Sequence, residues 1–454
     1  MTETPTFFRE YDIRGIYEKD LTTDVAYRLG RSVGTFFGIG KKVNVARDTR
    51  RGSVELSEEL NRGLIDSGCS VNWMGEVPSP LLYYSVVQTQ SDFGVMVTAS
   101  HLPPQWNGFK FCDSTGQIIS RLDGLEKIQS IYVSSEYGKI NKGNLSEYTN
   151  LVNDYKLILK KYTDSAKKGF KVTFDLSNSV PSLVIPEIFQ NSGIDAVYIN
   201  REILDTPSHD VEPNAFSMLN LKEEVLRNGS DIGIMYDADG DRMAIVDENG
   251  QIYSDGTVTI ALFALMYSHN STYGPVVMDV SCPSLLGDFL KGLGLEPKIS
   301  KVGHGYCSNL AKQNQALYAA QFSGHIALRE ANYRDDAIFA SVRLIDFVSN
   351  STLKLSELIH NSVPTLSYIV KNIEVPDYLK FNIIEQIRNY LVKEEITFTS
   401  LDGIKVLEDN GGFLVRASNT SNLIRIMAEG KNKQIADLML EKCLFMINEV
   451  ISID

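Results

Sequence analysis

The sequence lacks most of the features that would place a chain outside the class of ordinary globular proteins. It contains only five cysteines, scattered and without a CxxC pair, so we expect neither a disulfide framework nor a cysteine zinc site. No run of about 18 apolar residues occurs, which argues against a membrane-spanning helix. Residues 1–15 hold no apolar signal core, so we expect a cytoplasmic protein that is not secreted.

The sequence also lacks an excess of basic residues. It has 44 Lys and Arg against 57 Asp and Glu, which gives a formal net charge of −13. A general nucleic-acid binder needs a basic face, so this balance argues against nucleic acid as a partner. The composition, 43% hydrophobic and 22% charged, is that of a globular chain, and 454 residues predict roughly three or four domains. The oligomeric state is left open.

Short apolar runs alternate with helical patterns in three similar stretches up to about residue 365. These stretches open on the strands VNVARD (43–48), KVTFDLS (171–177) and VVMDVS (276–281), each with an Asp followed closely by Thr or Ser. Strand–helix repetition predicts α/β domains with mixed or largely parallel sheets and helices on both faces. The repeated strand endings suggest a triplicated unit without establishing one.

After residue 365 consecutive strands follow, which imply antiparallel pairing in a smaller α+β domain. We therefore expect four domains, with a polar first linker at 136–150. The expected domains are 1–150, 151–252, 253–365 and 366–454.

The strongest chemical signal is the acidic loop Asp237-Ala-Asp239-Gly-Asp241-Arg242 between two apolar strands. Three carboxylates at alternate positions can converge on one hard cation, and without a cation they would repel one another. Oxygen ligands favour Mg²⁺ or Ca²⁺. An EF-hand would have Gly where Arg242 stands and helices where strands flank the loop, although Glu248 does fall at position 12. The remaining alternative is a solvated acidic turn.

A second signal is the loop Thr98-Ala-Ser100-His101, which continues to Lys110. The preceding strand would deliver Ser100 to the carboxyl edge of a parallel sheet, where open α/β sheets bind ligands. A serine hydroxyl needs a base or a cation to act as a nucleophile, and His101 and Lys110 are available for that role. Taken alone, such a turn is more often a helix cap.

A third signal is a segment of hydroxyl and amide donors between arginines. It consists of Arg416, Ser418, Asn419 and Thr420, with Arg425 nearby. These donors suit a phosphate dianion. A β-turn with surface arginines explains the segment equally well on its own.

Two further loops place glycines beside histidines, at Val302-Gly303-His304-Gly305 and at Ser323-Gly324-His325. Glycine permits a close backbone approach, and histidine titrates near neutral pH. A single histidine is more often structural, so these loops carry weight only in combination with the other signals.

In combination, these segments resemble the α-D-phosphohexomutase superfamily, most closely its phosphomannomutase/phosphoglucomutase branch. Four family motifs occur in family order: the TASH phosphoserine loop at 98–101, the DxDGDR metal loop at 237–242, the SGH sugar loop at 323–325 and the RxSNT phosphate loop at 416–420. The flanking segments 8–15, 47–50, 78–80 and 334–337 also fit, so the resemblance spans nearly the whole chain.

The resemblance implies three α/β domains and one α+β domain around a central cleft. It implies an enzyme that interconverts hexose 1-phosphates and hexose 6-phosphates of mannose, glucose or both. Phospho-Ser100 would donate its phosphoryl group to the sugar phosphate, and the bisphosphorylated sugar would turn around before returning the other group. One Mg²⁺ per chain, held by Ser100, Asp237, Asp239 and Asp241, and a hexose 1,6-bisphosphate activator belong to this scheme.

The resemblance also implies roles for the remaining motif residues. Lys110 and Arg14 would neutralise the transferring group, His304 or His101 would relay the hydroxyl proton, and Arg242 completes the catalytic set. Residues that would bind the substrate fall into two groups. Those holding the distal phosphate would be Arg416, Ser418, Asn419, Thr420 and Arg425, and those facing the sugar hydroxyls would be Gln321, Ser323 and His325.

The sequence departs from the family pattern at Leu102, at Ala320-Gln321 and at Ser421-Asn422. Gln321 stands where the family has Glu, which removes a charged acceptor for two sugar hydroxyls. Three alternatives therefore stay open: a phosphoglucosamine mutase, a low-activity regulatory or binding paralogue that keeps the phosphoserine, and a metal-dependent phosphatase. The choice between mannose and glucose also stays open.

Overall fold

The protein is represented by a computed structural model that describes residues 5–138, 142–365, 367–418 and 422–451. It divides into two units, unit 1 and unit 2, each discontinuous in sequence. Unit 1 comprises Met1–Phe263 and Ser323–Asn361, and unit 2 comprises Ala264–Phe322 and Ser362–Asp454.

A six-stranded mixed sheet forms the first part of unit 1. Its strands are β1 (Asp12–Ile16), β2 (Lys42–Arg47), β3 (Ser70–Glu76), β4 (Phe93–Val97), β5 (Trp106–Asp113) and β6 (Asn144–Glu147). They pair in the order β1-β5-β4-β2-β3-β6, and β5 runs antiparallel to both β1 and β4 while the rest are parallel. The helices are α1 (Thr23–Phe37), α2 (Ser53–Asp66), α3 (Ser79–Gln88) and α4 (Glu126–Ser134), with a short π-helical turn at Arg121–Leu125.

The local sequence explains these elements. All five residues of β4 are buried, as expected for a strand covered by helices on both faces. Leu56, Leu60 and Leu64 recur every four residues along α2 and are fully buried. Thr22 caps α1 by accepting a hydrogen bond from the Val25 N–H, a cap that contributes about 1 kcal/mol.

A second mixed sheet follows in unit 1. Its elements are α5 (Leu151–Ser165), β7 (Lys171–Asp175), α6 (Pro181–Phe189), β8 (Asp195–Ile199), α7 (Leu219–Asn228), β9 (Ile232–Tyr236), β10 (Met243–Asp247) and β11 (Ile252–Tyr253). The strand order is β11-β10-β9-β7-β8, with β7 parallel to β8 and β9 and with β10 antiparallel to β9. The connection from β9 back to β10 therefore carries the whole acidic loop.

The third domain contributes to both units. Helix α8 (Gly256–His269) crosses from unit 1 into unit 2, where β12 (Pro275–Asp279), α9 (Ser284–Gly292), β13 (Glu296–Ser300), α10 (His304–Gln313) and β14 (Tyr318–Ala320) follow. β12 pairs in parallel with β13 and with β14. The chain then returns to unit 1 with β15 (Ile326–Leu328), a 3₁₀ turn at Arg329–Ala331 and α11 (Ala337–Ser349). Helix α12 (Leu355–Ser362) ends where the chain passes back into unit 2.

The C-terminal domain of unit 2 is an antiparallel sheet with two helices. Its elements are β16 (Ser367–Glu374), α13 (Asp377–Lys393), β17 (Ile404–Glu408), β18 (Gly411–Ala417), β19 (Leu423–Gly430) and α14 (Lys433–Ile451). The strands pair in the order β16-β19-β18-β17, and apolar residues of both helices pack with the sheet in one core. The prediction of three α/β domains and one α+β domain is confirmed.

The repeated strand endings share one structural role. Asp48, Asp175 and Asp279 lie at or just after the ends of β2, β7 and β12, and all three are buried. Each carboxylate accepts a hydrogen bond from the backbone N–H two residues further on, at 3.2, 3.0 and 2.7 Å. Such Asx turns form the same local loop start in each domain, which supports the triplication suggested by the sequence.

The stretch 136–150 is more than the linker that its polar composition indicates. It contains β6, which pairs in parallel with Ser70–Trp73 of β3 at the edge of the first sheet. Its four residues are all exposed, so the strand lacks the apolar alternation by which strands are recognised in a sequence.

Among the described residues, no helix has both the length and the apolarity that a membrane span requires.

Candidate active site

Ser100 lies in a buried turn just after β4, at the carboxyl end of a parallel strand. Its backbone has φ of +53°, a left-handed conformation that costs a non-glycine residue about 1–2 kcal/mol. Both of its backbone groups are held: the N–H donates to Oγ1 of Thr98 at 2.9 Å, and the carbonyl accepts from the guanidinium of Arg50. The fold therefore fixes this strained turn from both sides.

Asp48 and Arg50 build the support beneath the turn. Asp48 accepts hydrogen bonds from the hydroxyls of Thr98 and Ser53, at 2.7 and 2.6 Å, and from Nε of Arg50 at 2.7 Å. Arg50 also donates from Nη1 to the carbonyl oxygen of Trp106 at 3.0 Å. One guanidinium thus links Asp48, just after β2, to the serine loop (residues 98–106) at Ser100 and at Trp106.

The acidic loop gathers its three carboxylates at one point. Asp237, Asp239 and Asp241 are fully buried, and one oxygen of each lies within 4.8 Å of the others. They form the only group of potential metal-ligating side chains found among the described residues. Gly240 has φ of +74°, which lets the chain turn so that alternate side chains point inward. Strands flank the loop, as the argument against an EF-hand expects.

The serine loop and the acidic loop meet directly. The Ser100 hydroxyl donates to Oδ2 of Asp237 at 2.8 Å. Oδ1 of Asp237 accepts the backbone N–H groups of Asp241 and Arg242, at 3.1 and 3.2 Å. Burial, and then the negative charges of Asp241 and Asp239, raise the pKa of Asp237 well above its usual range.

Lys110 lies in β5 and brings a positive charge into the acidic group. Its Nζ donates at 2.6 Å to Oδ2 of Asp239 and at 2.6 Å to Oδ2 of Asp241, and the side chain is buried. Burial alone would lower the pKa of Lys110, but these two carboxylates raise it well above its usual range. Lys110 is therefore charged, and its single ammonium offsets only part of the negative charge of the carboxylates around it.

The residues present fit a hard divalent cation. The donor set near Asp237 consists of oxygens, which Mg²⁺ prefers over the softer ligands of zinc and copper. Oδ1 of Asp239 is shielded from solvent and accepts no hydrogen bond from any described residue. A buried carboxylate oxygen without a partner is costly, and a divalent ion would both coordinate it and balance the remaining charge.

Arg14 presents a second cation near the serine loop. It lies in β1, whose partner strand β5 places Lys110 opposite Asp12. Nε of Arg14 donates to Asp12 at 2.6 Å, while its Nη1 is shielded and has no hydrogen-bond partner among the described residues. A buried guanidinium N–H of this kind is available to an anion.

His101 directly follows Ser100 and lies near three positively charged side chains. Burial, and then the positive charges of Arg242, Arg14 and Lys110, lower the pKa of His101 well below its usual range. The neutral ring of His101 keeps a lone pair for accepting a proton.

His325 belongs to unit 1 and lies against the acidic loop. Its Nε2 accepts from Nε of Arg242 at 3.0 Å, and its Nδ1 lies 3.6 Å from Asp241 and 3.8 Å from Asp335. The SGH segment is thus physically joined to the acidic loop by His325. Ser323 of the same segment is exposed.

In unit 2, the segment before SGH is anchored to the start of the third domain. Gln321 is buried, and its Nε2 has no hydrogen-bond partner among the described residues. The N–H of Phe322 donates to Asp279 at 2.9 Å, which fixes the backbone beside Gln321. Whether Gln321 meets a sugar remains a prediction.

The predicted phosphate loop lies at the end of β18 in unit 2. Arg416 is buried and stands directly opposite Arg425 on β19, so two cations share one end of the sheet. Nη1 of Arg416 lies 3.7 Å from Asp402, whose carboxylate also accepts the N–H of Val302 at 2.9 Å. Asp402 therefore connects the phosphate loop to the segment before His304.

Ser418 is held by a residue that sequence reasoning missed. The buried Lys380 of α13 donates from Nζ to the Ser418 carbonyl oxygen at 2.7 Å. Asn419 and Thr420 lie outside the described residues. The backbone of α10 begins at His304, whose side chain also lies outside the described part of the chain.

Sequence reasoning named the segments of Arg50 and Ser79 only as flanking matches, and it did not single out Lys380 or Asp402. These four residues support backbone or carboxylates of the site. Arg50 could have been noticed from its position directly after a strand ending in Asp48, because such ends meet at one sheet edge. Lys380 and Asp402 carry no signal in the sequence beyond their charge.

Comparisons with protein families give one consistent result along the chain. Four phosphoglucomutase/phosphomannomutase models match in order: alpha/beta/alpha domain I at residues 5–138, domain II at 146–250, domain III at 254–366 and the C-terminal domain at 371–443.

Curated relatives match over nearly their full length. A phosphomannomutase/phosphoglucomutase of Pseudomonas syringae pv. tomato is 31% identical over 94% of this chain and 92% of its own. A phosphoglucomutase of Neisseria gonorrhoeae is 30% identical over 94% and 93%. A Methanobrevibacter smithii protein named probable phosphoglucosamine mutase is 30% identical over 96% and 97%.

Solved structures share the fold. A phosphoglucomutase/phosphomannomutase family protein of Burkholderia thailandensis superposes with a TM-score of 0.88 at 24% identity, covering 98% of this chain and 97% of that one. A phosphomannomutase-like structure from Thermus thermophilus gives a TM-score of 0.82 at 21% identity, covering 99% and 100%. With the ordered family matches and relatives at 30% identity or more, these findings confirm the resemblance read from the motifs: the chain belongs to the phosphoglucomutase/phosphomannomutase family.

Proposed function

We propose that this protein is a phosphohexomutase, an intramolecular phosphotransferase that interconverts hexose 1-phosphate and hexose 6-phosphate of mannose, glucose or both. Ser100 carries the exchanged phosphoryl group, and the intermediate is a bisphosphorylated sugar. The observation that carries the proposal is the buried contact of the Ser100 hydroxyl with Asp237, beside Asp239, Asp241 and Lys110.

This arrangement suits phosphoryl transfer, which depends mainly on positioning and on charge stabilisation. Ser100 is fixed in a strained turn, so its oxygen has little freedom to move away from the acidic loop. Lys110 and the free N–H of Arg14 offer positive charge for the oxygens of the group in transit. Asp237, Asp239 and Asp241 would hold Mg²⁺ together with an oxygen of Ser100 or its phosphate. When bound, this ion would neutralise charge on the phosphoryl group and make phosphorus more electrophilic.

The proposed cycle has two phosphoryl-transfer steps. In the first step the P–Oγ bond of phospho-Ser100 breaks, a P–O bond forms to the free hydroxyl of the sugar monophosphate, and that hydroxyl loses its proton. His101 or His304 is proposed to accept this proton; the ring of His101 is neutral, and its lowered pKa makes it a weak base. The proton passes from that base to Oγ of Ser100, which leaves the first step as an alkoxide. In the second step, after the sugar has turned around, Oγ of Ser100 attacks the other phosphate. The P–O bond between that phosphate and the sugar breaks, and the proton of Ser100 passes to the released sugar oxygen.

The second phosphate of the sugar is proposed to be held by the phosphate loop at the end of β18. The buried Arg416, the backbone around Ser418 and the opposed Arg425 form the described part of this clamp, and Asn419 and Thr420 complete the proposed set. Gln321, Ser323 and His325 are proposed to face the sugar. Arg242 would keep His325 and the acidic loop in register, because it contacts His325 and lies 4.0 Å from Asp237.

A coupled assay tests the proposal. Purified protein receives Mg²⁺, a trace of hexose 1,6-bisphosphate as activator, and either mannose 1-phosphate or glucose 1-phosphate, with detection of the 6-phosphate. Glucosamine 1-phosphate forms a third arm, because the Methanobrevibacter smithii relative bears the name of a glucosamine enzyme. We expect isomerisation of at least one of the first two substrates.

Two outcomes would contradict the proposal. Phosphorylated Ser100 with no isomerisation of any hexose phosphate would indicate a binding or regulatory paralogue, which the departures at Leu102 and Gln321 motivate. Steady release of inorganic phosphate without an isomer would indicate a phosphatase.

A further inference from the structure

The start of α3 contacts the acidic loop at two points. The N–H of Ser79 donates to the backbone carbonyl of Asp239 at 2.9 Å, and its hydroxyl donates to Oδ2 of the same residue at 2.6 Å. Both residues are fully buried. The two bonds fix main chain and side chain of Asp239 against one helix end.

The packing around this contact leaves little room for movement. A Cβ on Gly240 would lie 3.2 Å from Cβ of Pro78 and 3.5 Å from Ile338, so the loop is pressed against the residue that precedes Ser79. Pro78 and Pro80 on either side of Ser79 restrict the backbone there. The donor is consequently held rigidly in front of Asp239.

The two oxygens of Asp239 have opposite surroundings. Oδ2 receives two donors, Ser79 Oγ and Lys110 Nζ, each at 2.6 Å. Oδ1 receives none from the described residues and is shielded from solvent. Two bonds to one oxygen set the rotation of the carboxylate about its χ2 angle, which otherwise has a broad preference.

We infer that Ser79 is a positioning residue for the metal site: it saturates Oδ2 of Asp239 and thereby directs Oδ1 to the cation. The inference rests on the proposed function, because that function supplies the cation. Lys110 alone cannot set this orientation, since its Nζ is shared with Asp241 and sits on a long flexible stem. Hydrogen-bond partners of metal-ligating groups contribute about 10- to 100-fold to metal affinity.

Direct titration of Mg²⁺ into chelator-treated full-length protein tests the inference without turnover. In calorimetry we expect Ser79→Ala to raise the Kd for Mg²⁺ by about 10- to 100-fold. Ser79→Thr, which keeps the hydroxyl, is expected to bind Mg²⁺ nearly as the unmodified chain does. Ser79→Cys carries a slightly larger side chain with a weak S–H donor, so its affinity should lie in between, and it serves if the Ala variant does not fold.

Ser85→Ala is the matched control. Ser85 is a buried serine of the same helix whose hydroxyl donates to the carbonyl oxygen of Leu82 and accepts from Nδ2 of Asn44. We expect its Mg²⁺ affinity to stay unchanged. In the isomerisation assay, excess Mg²⁺ should restore the turnover of Ser79→Ala, while the KM for sugar phosphate stays near that of the unmodified protein.

The outcomes separate the inference from the proposed function. If the unmodified protein binds Mg²⁺ and isomerises sugar phosphates, but folded Ser79→Ala binds Mg²⁺ equally well, the role of Ser79 is refuted and the function stands. The role of Ser79 is also refuted if Ser79→Thr has the affinity of Ser79→Ala. If the unmodified protein neither binds Mg²⁺ nor isomerises any hexose phosphate, the proposed function itself fails.

Discussion

The hydroxyl of Ser100 donates a 2.8 Å hydrogen bond to Asp237, although 137 positions separate the two residues in the chain. The contact joins the ends of β4 and β9, which belong to two different sheets of unit 1. It places a buried hydroxyl beside three carboxylates and one ammonium, an arrangement that is costly to bury. Such an arrangement is expected of a site that handles charge.

Asp239→Asn should weaken the binding of Mg²⁺. The amide replaces one of the carboxylates and lowers the negative charge that balances a divalent ion, so we expect the Mg²⁺ concentration for half-maximal activity to rise more than about 100-fold. Glu248→Gln is the control, since Glu248 occupies position 12 of the rejected EF-hand and contacts Ser356 instead. Equal losses in the two variants would contradict the assignment of the acidic loop.

Arg50→Lys should impair the serine loop while preserving charge. Lysine cannot reproduce the guanidinium that contacts Asp48 and the carbonyls of Ser100, Leu102 and Trp106 at once. Charged hydrogen bonds contribute about 1.5–3 kcal/mol each, so we expect kcat to fall at least about tenfold. Steady-state kinetics checks this, with the exposed neighbour Arg51→Lys as control. A change in KM with kcat intact would mean that Arg50 contributes to binding instead.

Arg416→Ala should raise the KM for sugar phosphates. Loss of a buried charged donor to phosphate costs about 1.5–3 kcal/mol, which corresponds to roughly a 10- to 100-fold increase. Phosphorylation of Ser100 should be largely retained, because Arg416 is proposed to hold the second phosphate and not the one on Ser100. Arg388→Ala, which removes an arginine paired with Glu385 on α13, serves as control. Loss of phosphoserine at unchanged KM would refute the clamp.

Asp336→Asn should flatten the pH dependence of stability on the acid side. Burial raises the pKa of Asp336 to about 6, above its unfolded value of 3.8. The contribution of this carboxyl to the stability of the fold is thus fully present below pH 3.8 and is lost as the pH rises through about 6. The free energy of unfolding changes by at most about 3 kcal/mol over this range.

Melting temperatures at several pH values between 4 and 7 check this, with Asp164→Asn on the exposed side of α5 as control. In the Asn variant the part of the pH trend that is due to this carboxyl should disappear, because Asn does not titrate. An unchanged trend in Asp336→Asn would show that other groups dominate.

Much of the fold followed from local patterns in the sequence. The runs at 43–48, 171–177 and 276–281 are strands because they are short, apolar and rich in β-branched residues, and the structure has strands there. β6 was missed because an exposed edge strand needs only backbone pairing and leaves no apolar pattern. The boundaries of the four domains stay predictions.

Part of the candidate site could also be predicted from local sequence patterns, and part could not. Asp237, Asp239 and Asp241 were predictable as a group because they lie within five residues of one another, and the structure does bring them together. The contacts of Ser79 and Lys110 with Asp239 span 160 and 129 positions, and no local rule indicates them. Long-range polar contacts depend on the packing of whole domains, which sequence periodicity does not encode.

Intact mass spectrometry of the protein as isolated, followed by peptide mapping, tests the central claim most directly. The account predicts that part of the protein carries the added mass of one phosphoryl group, located on Ser100 within the peptide that spans residues 98–110. Hexose 1,6-bisphosphate should increase that fraction, and Ser100→Ala should abolish it. A protein that stays unmodified after incubation with the bisphosphate, or one labelled at another residue, would contradict the account.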